Sequence, residues 1–200
     1  NYDPYGIAVL TLGASLTINQ VGTYAILDTS YDSRTASGIV NAGTINAGQS
    51  GGSFTIQGSG SFTNQGTINV SNGDTLSLNS NIWSNSGTIA VTGGTLDLQG
   101  NGLTLAQLGA VTHSGGLVNL QTTLDDTGTI LNLGTGPGLG TLTLGTSGTI
   151  HNEMIVDQAT GLTFDGGTHY GVGAEGKRNL SCTSSYVYIT YGLPLAGATV

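Results

Sequence analysis

Eleven acidic residues, three cations, three histidines and one cysteine make up nearly all the chemically active side chains of this 200-residue chain. Asp125-Asp126 is the one adjacent acid pair. Glycoside chemistry takes two carboxylates facing each other across a bond, or an acid with a base nearby. Neighbours along a strand point to opposite sides, so this pair reads as part of a turn. Asp97 stands alone in Thr95-Leu96-Asp97-Leu98. Glu153 and Asp157 lie near His151 in sequence, with no basic residue beside them. His113, His151 and His169 are spaced 38 and 18 residues apart, close to two repeats and one, as a stacked metal column would be. They fall at different points within the repeat, so they read as separate surface histidines. No calcium-binding loop pattern occurs. No catalytic, cofactor-binding or metal residue is therefore assigned, and no cofactor is expected.

The remaining chemistry is equally sparse. Cys182 has no partner for an intrachain disulfide and reads as a buried or incidental thiol. Arg34, Lys177 and Arg178 are the only cations against a net charge of −8. That balance cannot neutralise a run of phosphates, which excludes nucleic acid and disfavours anionic membranes. Charged residues make up 7% of the chain, against roughly 25% in ordinary domains. No apolar run approaches the ~18 residues of a membrane-crossing helix. The chain starts at Asn1 rather than Met, which reads as a processed product or a piece of something longer.

What organises the chain is a repeat. Gly43-Thr44-Ile45, Gly66-Thr67-Ile68, Gly87-Thr88-Ile89, Gly109-Ala110-Val111, Gly128-Thr129-Ile130 and Gly148-Thr149-Ile150 recur at intervals of 19 to 23 residues. Each is followed by a second alternation such as Thr75-Leu76-Ser77-Leu78, and Gly- or Asn-rich turns separate the two. A unit this short buries its apolar face only by stacking on copies of itself. Alternation bounded by Asn-Gly and Gly-Gly signals strands and turns. The expected fold is all-β: a single-stranded β-solenoid, a right-handed parallel β-helix with rungs of about 21 residues. Only Leu103 to Leu108 admits a helical turn, or else an insertion loop. Residues 1–175 form the solenoid, with degenerate rungs over 1–37 and regular ones over 38–168; residues 176–200 form a cap or assembly strand.

Three columns follow from stacking the repeats. Ile45, Ile68, Ile89, Val111, Ile130 and Ile150 should point inward as one core column. The second strand adds Phe54/Ile56, Leu76/Leu78, Leu96/Leu98, Val118 or Leu120, Leu142/Leu144 and Leu162/Phe164. Two residues before the repeat glycines stand Asn41, Asn64, Asn85, Gln107 and Asp126. Side-chain amides at rung spacing can hydrogen-bond along the axis, as in the Asn ladders of cross-β stacks. The outward threonines Thr44, Thr67, Thr88, Thr129 and Thr149 invite an ice-binding reading. They lack the paired threonine two residues on and read as ordinary strand threonines.

The rungs resemble the β-helical repeats of autotransporter passengers and of filamentous-haemagglutinin-like bacterial surface proteins. The residues that carry the resemblance are Asn64-Gln65-Gly66-Thr67-Ile68-Asn69-Val70 and the run from Asn85 to Leu98, within a span of about residues 38 to 168. It implies a protein that is secreted or held on the bacterial cell surface, with an adhesive or structural role. Such a protein can meet host or matrix glycans. The tail supports an assembly role: Tyr186, Tyr188 and Tyr191 lie along one β-prone stretch that could pair with a neighbouring subunit. The expected function is an extracellular structural or adhesive solenoid that forms homo-oligomers or filaments head to tail. The alternative is a carbohydrate-binding or polysaccharide-degrading β-helix.

Overall fold

The computed structural model describes residues 8–30, 37–125, 128–134, 139–151, 154–157, 162–170, 173–176, 188–190 and 195–196. Through them the chain winds as a β-solenoid of parallel strands, with one short helix, α1, at Leu105–Leu108. Each coil has three sides. The first carries the Gly-Thr-Ile step and stacks Thr17–Asn19, Thr44–Ala47, Thr67–Ser71, Thr88–Thr92 and Ala110–His113. The second carries the Thr-Leu-x-Leu alternation. It runs from Tyr24–Asp28, through the first halves of Ser53–Asn64 and Thr75–Asn85, to Thr95–Leu98, Leu117–Leu120, Leu142–Leu144 and Leu162–Phe164.

Apart from Val9–Leu12, which lies in the degenerate rungs, the third side comes from stretches that the repeat consensus assigns to Gly- or Asn-rich turns. Val9–Leu12, Gly38–Asn41 and the second halves of Ser53–Asn64 and Thr75–Asn85 stack there. These two long strands run on around the corner from the second side to the third, and their register shifts between Gly58 and Ser61. Leu10, Ile39, Phe62 and Trp83 share one inward register on this side. Trp83 is buried and its indole N–H donates to the Gln99 carbonyl at 3.0 Å, so the one polar atom of the ring is satisfied.

Period-two alternation fills the core. On the first side Ile45, Ile68 and Ile89 are fully buried, with Val111 at the top of their column, while Thr44, Thr67 and Thr88 face outward. On the second side Leu76/Leu78, Leu96/Leu98, Val118/Leu120 and Leu142/Leu144 are buried in register.

The repeat glycine has a steric cause. A Cβ on Gly66 would lie 2.1 Å from the Gly43 carbonyl oxygen, and one on Gly87 would lie 2.1 Å from that of Gly66. The same carbonyls accept from Thr67 N and Thr88 N at 2.9 Å, so the backbones cannot separate without losing ladder bonds. Only a residue without a side chain fits that corner.

The six steps are not equivalent, and the single six-membered column is corrected here. Ile130 is 49% exposed, because the strand Ile130–Leu133 buries Leu131 and Leu133 instead. With a side-chain period of two, the register that buries two leucines turns the isoleucine out. Ile150 is buried, but it stacks between Leu124 and His169 on the third side. Only Gly145-Thr146-Ser147 separate Leu144 from Gly148, too few to cross the third side first. The Gly-Thr-Ile step therefore marks entry into a strand, and the chain length before it decides which side it enters.

Candidate functional site

Asn41, Asn64 and Asn85 occur two residues after Ile39, Phe62 and Trp83, at the end of each third-side strand, and alternation turns all three inward. They are buried and form a ladder: Asn41 Nδ2 donates to Asn64 Oδ1 at 2.8 Å, and Asn64 Nδ2 to Asn85 Oδ1 at 2.7 Å. Asn41 Oδ1 accepts from the Gly43 N–H at 3.2 Å. The ladder thus fastens the corner into the Gly-Thr-Ile step, where backbone groups would otherwise go unpaired. Both ends are closed. Leu12 takes the register position under Asn41, and Asn85 Nδ2 donates to the carbonyls of Leu108 and Ala110 at 3.0 Å each.

Leu108 ends α1, which takes the place of a third-side strand in its coil, and Ala110 opens the first-side strand that follows. Gln107 is therefore no ladder residue, which corrects the expectation from its spacing. Its Oε1 accepts from Thr104 N at 2.8 Å, and Thr104 Oγ1 accepts from Gln107 N at 3.2 Å, a capping box. Leu105-Ala106-Gln107-Leu108 is a run of good helix formers, and a turn of helix carries position 107 away from the inward register. Asp126, assigned to the same column, lies outside the described residues.

A second, outer ladder runs the opposite way along the first side. Asn69 Nδ2 donates to Asn46 Oδ1, and Asn46 Nδ2 to Asn19 Oδ1, each at 2.7 Å. On the second side Asn119 Nδ2 donates to Asp97 Oδ1 at 2.8 Å. Burial raises the Asp97 carboxyl above its ordinary value, and hydrogen bonds from Asn119 and Ser77 pull the other way.

Above α1 the stack changes. The second side continues from Leu117–Leu120 into Leu142–Leu144. On the first side Ala110–His113 ends its sheet, and a separate sheet of Ile130–Leu133, Met154–Asp157, Gly173–Gly176 and Leu195–Ala196 begins. A cleft of about 200 Å³ lies at this seam, lined by Leu105, Leu108, Val111, Ile130, Leu131 and Leu139 among others. His113 ends the inward column Ala47–Val70–Val91 and turns its Nε2 to the Gly116 carbonyl at 3.0 Å. A third sheet resumes the third side over Leu103, with Thr123–Asp125, Thr149–His151, Thr168–Tyr170 and Tyr188–Thr190.

That third sheet brings together side chains that the sequence kept apart. Asp125, His151 and Tyr170 share one outward register on successive coils. His151 Nδ1 lies 3.0 Å from Asp125 Oδ2, and the His151 and Tyr170 rings sit 4.5 Å apart, tilted by 34°. The histidines do not form a column: His113 is on the first side, His151 faces outward on the third, and His169 takes the register position above Ile150. Among the described residues no three His, Cys, Asp or Glu side chains gather as a metal site would require. The side chains of Glu153 and Asp157 are not among those described.

The N-terminal coil is the other distinctive surface. Val9–Leu12, Thr17–Asn19 and Tyr24–Asp28 each pair along one edge only among the described residues. Six of the nine large hydrophobic side chains exposed among the described residues belong to this coil: Val9, Leu10, Leu16, Val21, Tyr24 and Ile26. A hollow of about 320 Å³ opens beside it, bounded by Val9, Leu10, Thr29, Ser37 and Ile39 among others. Asp28 at its rim is held below the usual carboxylate range by the Ser30 backbone N–H at 2.7 Å.

In the tail, Tyr188 opens the strand Tyr188–Thr190 over Thr168–Tyr170, while Tyr186 and Tyr191 lie outside the described residues. Among the described residues no helix is long and apolar enough to cross a membrane. Comparison with known protein families, with curated proteins and with solved structures finds no match.

Proposed function

We propose that the chain is a structural, adhesive β-solenoid of the extracellular space or bacterial cell surface, and that its copies stack head to tail. One contrast carries this reading. The inward columns that are buried one coil along are open at the N-terminal coil: Leu10 is 56% exposed where Ile39 above it is 5%. Ile18 and Leu27 are likewise half-buried under fully buried Ile45 and Ile56. This coil combines an apolar core face with ladder edges that pair with no other described strand, and another coil of the same kind satisfies both. A contact between unlike ends repeats without closing and gives a filament. The chain's resemblance to bacterial surface repeats agrees with a mechanical role, and three cations leave few sites for trypsin-like proteases outside the cell.

Negative-stain microscopy and sedimentation of the purified chain at neutral pH, over rising concentration, test this. Filaments are expected, and Leu10→Lys is expected to return them to single rods without changing the far-UV spectrum. Rods that stay single at the highest concentration contradict the proposal.

A further inference from the structure

Many outward positions along this solenoid are filled by Thr, Ser, Asn or Gln, and several of these side chains pair with their column neighbours. Asn46 with Asn19, Asn69 with Asn46, and Gln99 with Gln121 are examples. The outward column Asp125–His151–Tyr170 is of another kind, since it sets a carboxylate, an imidazole and a phenol ring one above another. Stacking like on like explains a ladder of asparagines; it gives no reason for three unlike groups in a chain with so few charges and aromatics. The column is accessible: the Asp125 side chain is 50% exposed and that of His151 29%. Two residues along each strand runs a second outward column, Thr123–Thr149–Thr168, which places hydroxyls beside it.

We propose that this face of the third side binds a neutral polysaccharide laid along the solenoid axis. A pyranose ring offers one face of C–H groups and a rim of hydroxyls. Tyr170 supplies a ring for the C–H face, Asp125 accepts from hydroxyls, and His151, with its Nδ1 3.0 Å from Asp125 Oδ2, holds that carboxylate beside the ring. Rungs are spaced by about 4.8 Å, so the column spans roughly 10 Å, the scale of two sugar units. The net charge of −8 selects against uronates and sulfated glycans, whose charge it would repel. The proposal names a ligand for the adhesive part of the function above and does not depend on assembly.

The test is calorimetric titration of the single-rod fraction with cello-, xylo-, manno- and chito-oligosaccharides, with oligogalacturonate as the charged control. At least one neutral sugar is expected to bind. Tyr170→Ala should weaken it tenfold or more, Tyr170→Trp should preserve or strengthen it, and Asp125→Asn should weaken it severalfold. Thr44→Ala on the first side should leave it unchanged. Binding equal in wild type and Tyr170→Ala, preference for oligogalacturonate, or no binding of any neutral sugar overturns the proposal. Because single rods are used, failure here leaves the filament experiment unaffected, and failure of filaments leaves this result intact.

Discussion

Below α1 the three sides carry continuous ladders; above it only the second side runs through unbroken. The difference lies in chain length between steps rather than in the steps themselves. In the lower region a third-side strand separates each Thr-Leu-x-Leu run from the next Gly-Thr-Ile, so the step always enters the first side. In the upper region Gly148-Thr149-Ile150 follows Leu144 too soon and enters the third side instead, while Ile130 is displaced by the buried pair Leu131 and Leu133. A repeat motif thus specifies a local turn into a strand, and the spacer decides its address.

Substitutions at matched positions sharpen this contrast, and the glycines should give the largest effect. Gly66→Ala drives a Cβ into the Gly43 carbonyl, so a loss of more than about 3 kcal/mol, or failure to fold, is expected in urea titration. Gly128→Ala meets nothing within 4 Å and carries only the strain of its φ of 86°, about 1–2 kcal/mol. Equal losses at the two glycines would erase the distinction between the regions. Next come the isoleucines. Ile89→Ala empties a fully buried site and should lose about 2–5 kcal/mol, whereas half-exposed Ile130→Ala should lose under about 1 kcal/mol.

The two asparagine ladders divide inside from outside. Asn64→Ala leaves the Asn85 side-chain carbonyl without its donor and the Asn41 amide with only a 3.5 Å contact to the Thr67 carbonyl, for a loss of about 2–4 kcal/mol in thermal unfolding. Asn69→Ala leaves solvent to replace its partner and should lose under about 1 kcal/mol. The smallest effect concerns Asp97. Its carboxyl is raised in the folded state, so folding favours the protonated form: that contribution is present below pH 3.8 and fades as pH rises through the raised value. Asp97→Asn should therefore gain under about 1 kcal/mol at neutral pH, with the gain vanishing in acid. A variant less stable than wild type at neutral pH would show that the Asn119 bond outweighs burial.

Much of this was legible in the sequence. The columns through Ile45, Ile68, Ile89 and Val111, and the paired leucines of the second side, follow from strict alternation at a steady interval. Asn41, Asn64 and Asn85 were equally visible. The third side was missed because Ile39-Val40-Asn41, Phe62-Thr63-Asn64 and Trp83-Ser84-Asn85 are short and bring a different apolar residue each time. Their shared signal, a large apolar residue two before each ladder asparagine, was there to be read. Gln107 matched the spacing of the ladder but not its backbone, since a helix breaks the period of two. The Asp125–His151–Tyr170 column was hidden for a different reason. Its members sit at unlike offsets from the nearest Gly-Thr-Ile step, and only the re-addressed upper strands bring them into register.

The seam itself is best tested by amide hydrogen exchange across the whole chain. The slow first-side amides of Thr67–Ser71, Thr88–Thr92 and Ala110–His113 are expected to open together, with Ile130–Leu133 opening separately and at lower free energy. On the second side, protection should run without a step from Thr95–Leu98 through Leu117–Leu120 to Leu142–Leu144. Equal protection on the first side above and below α1, opening as one unit, would contradict the division of the stack into two regions.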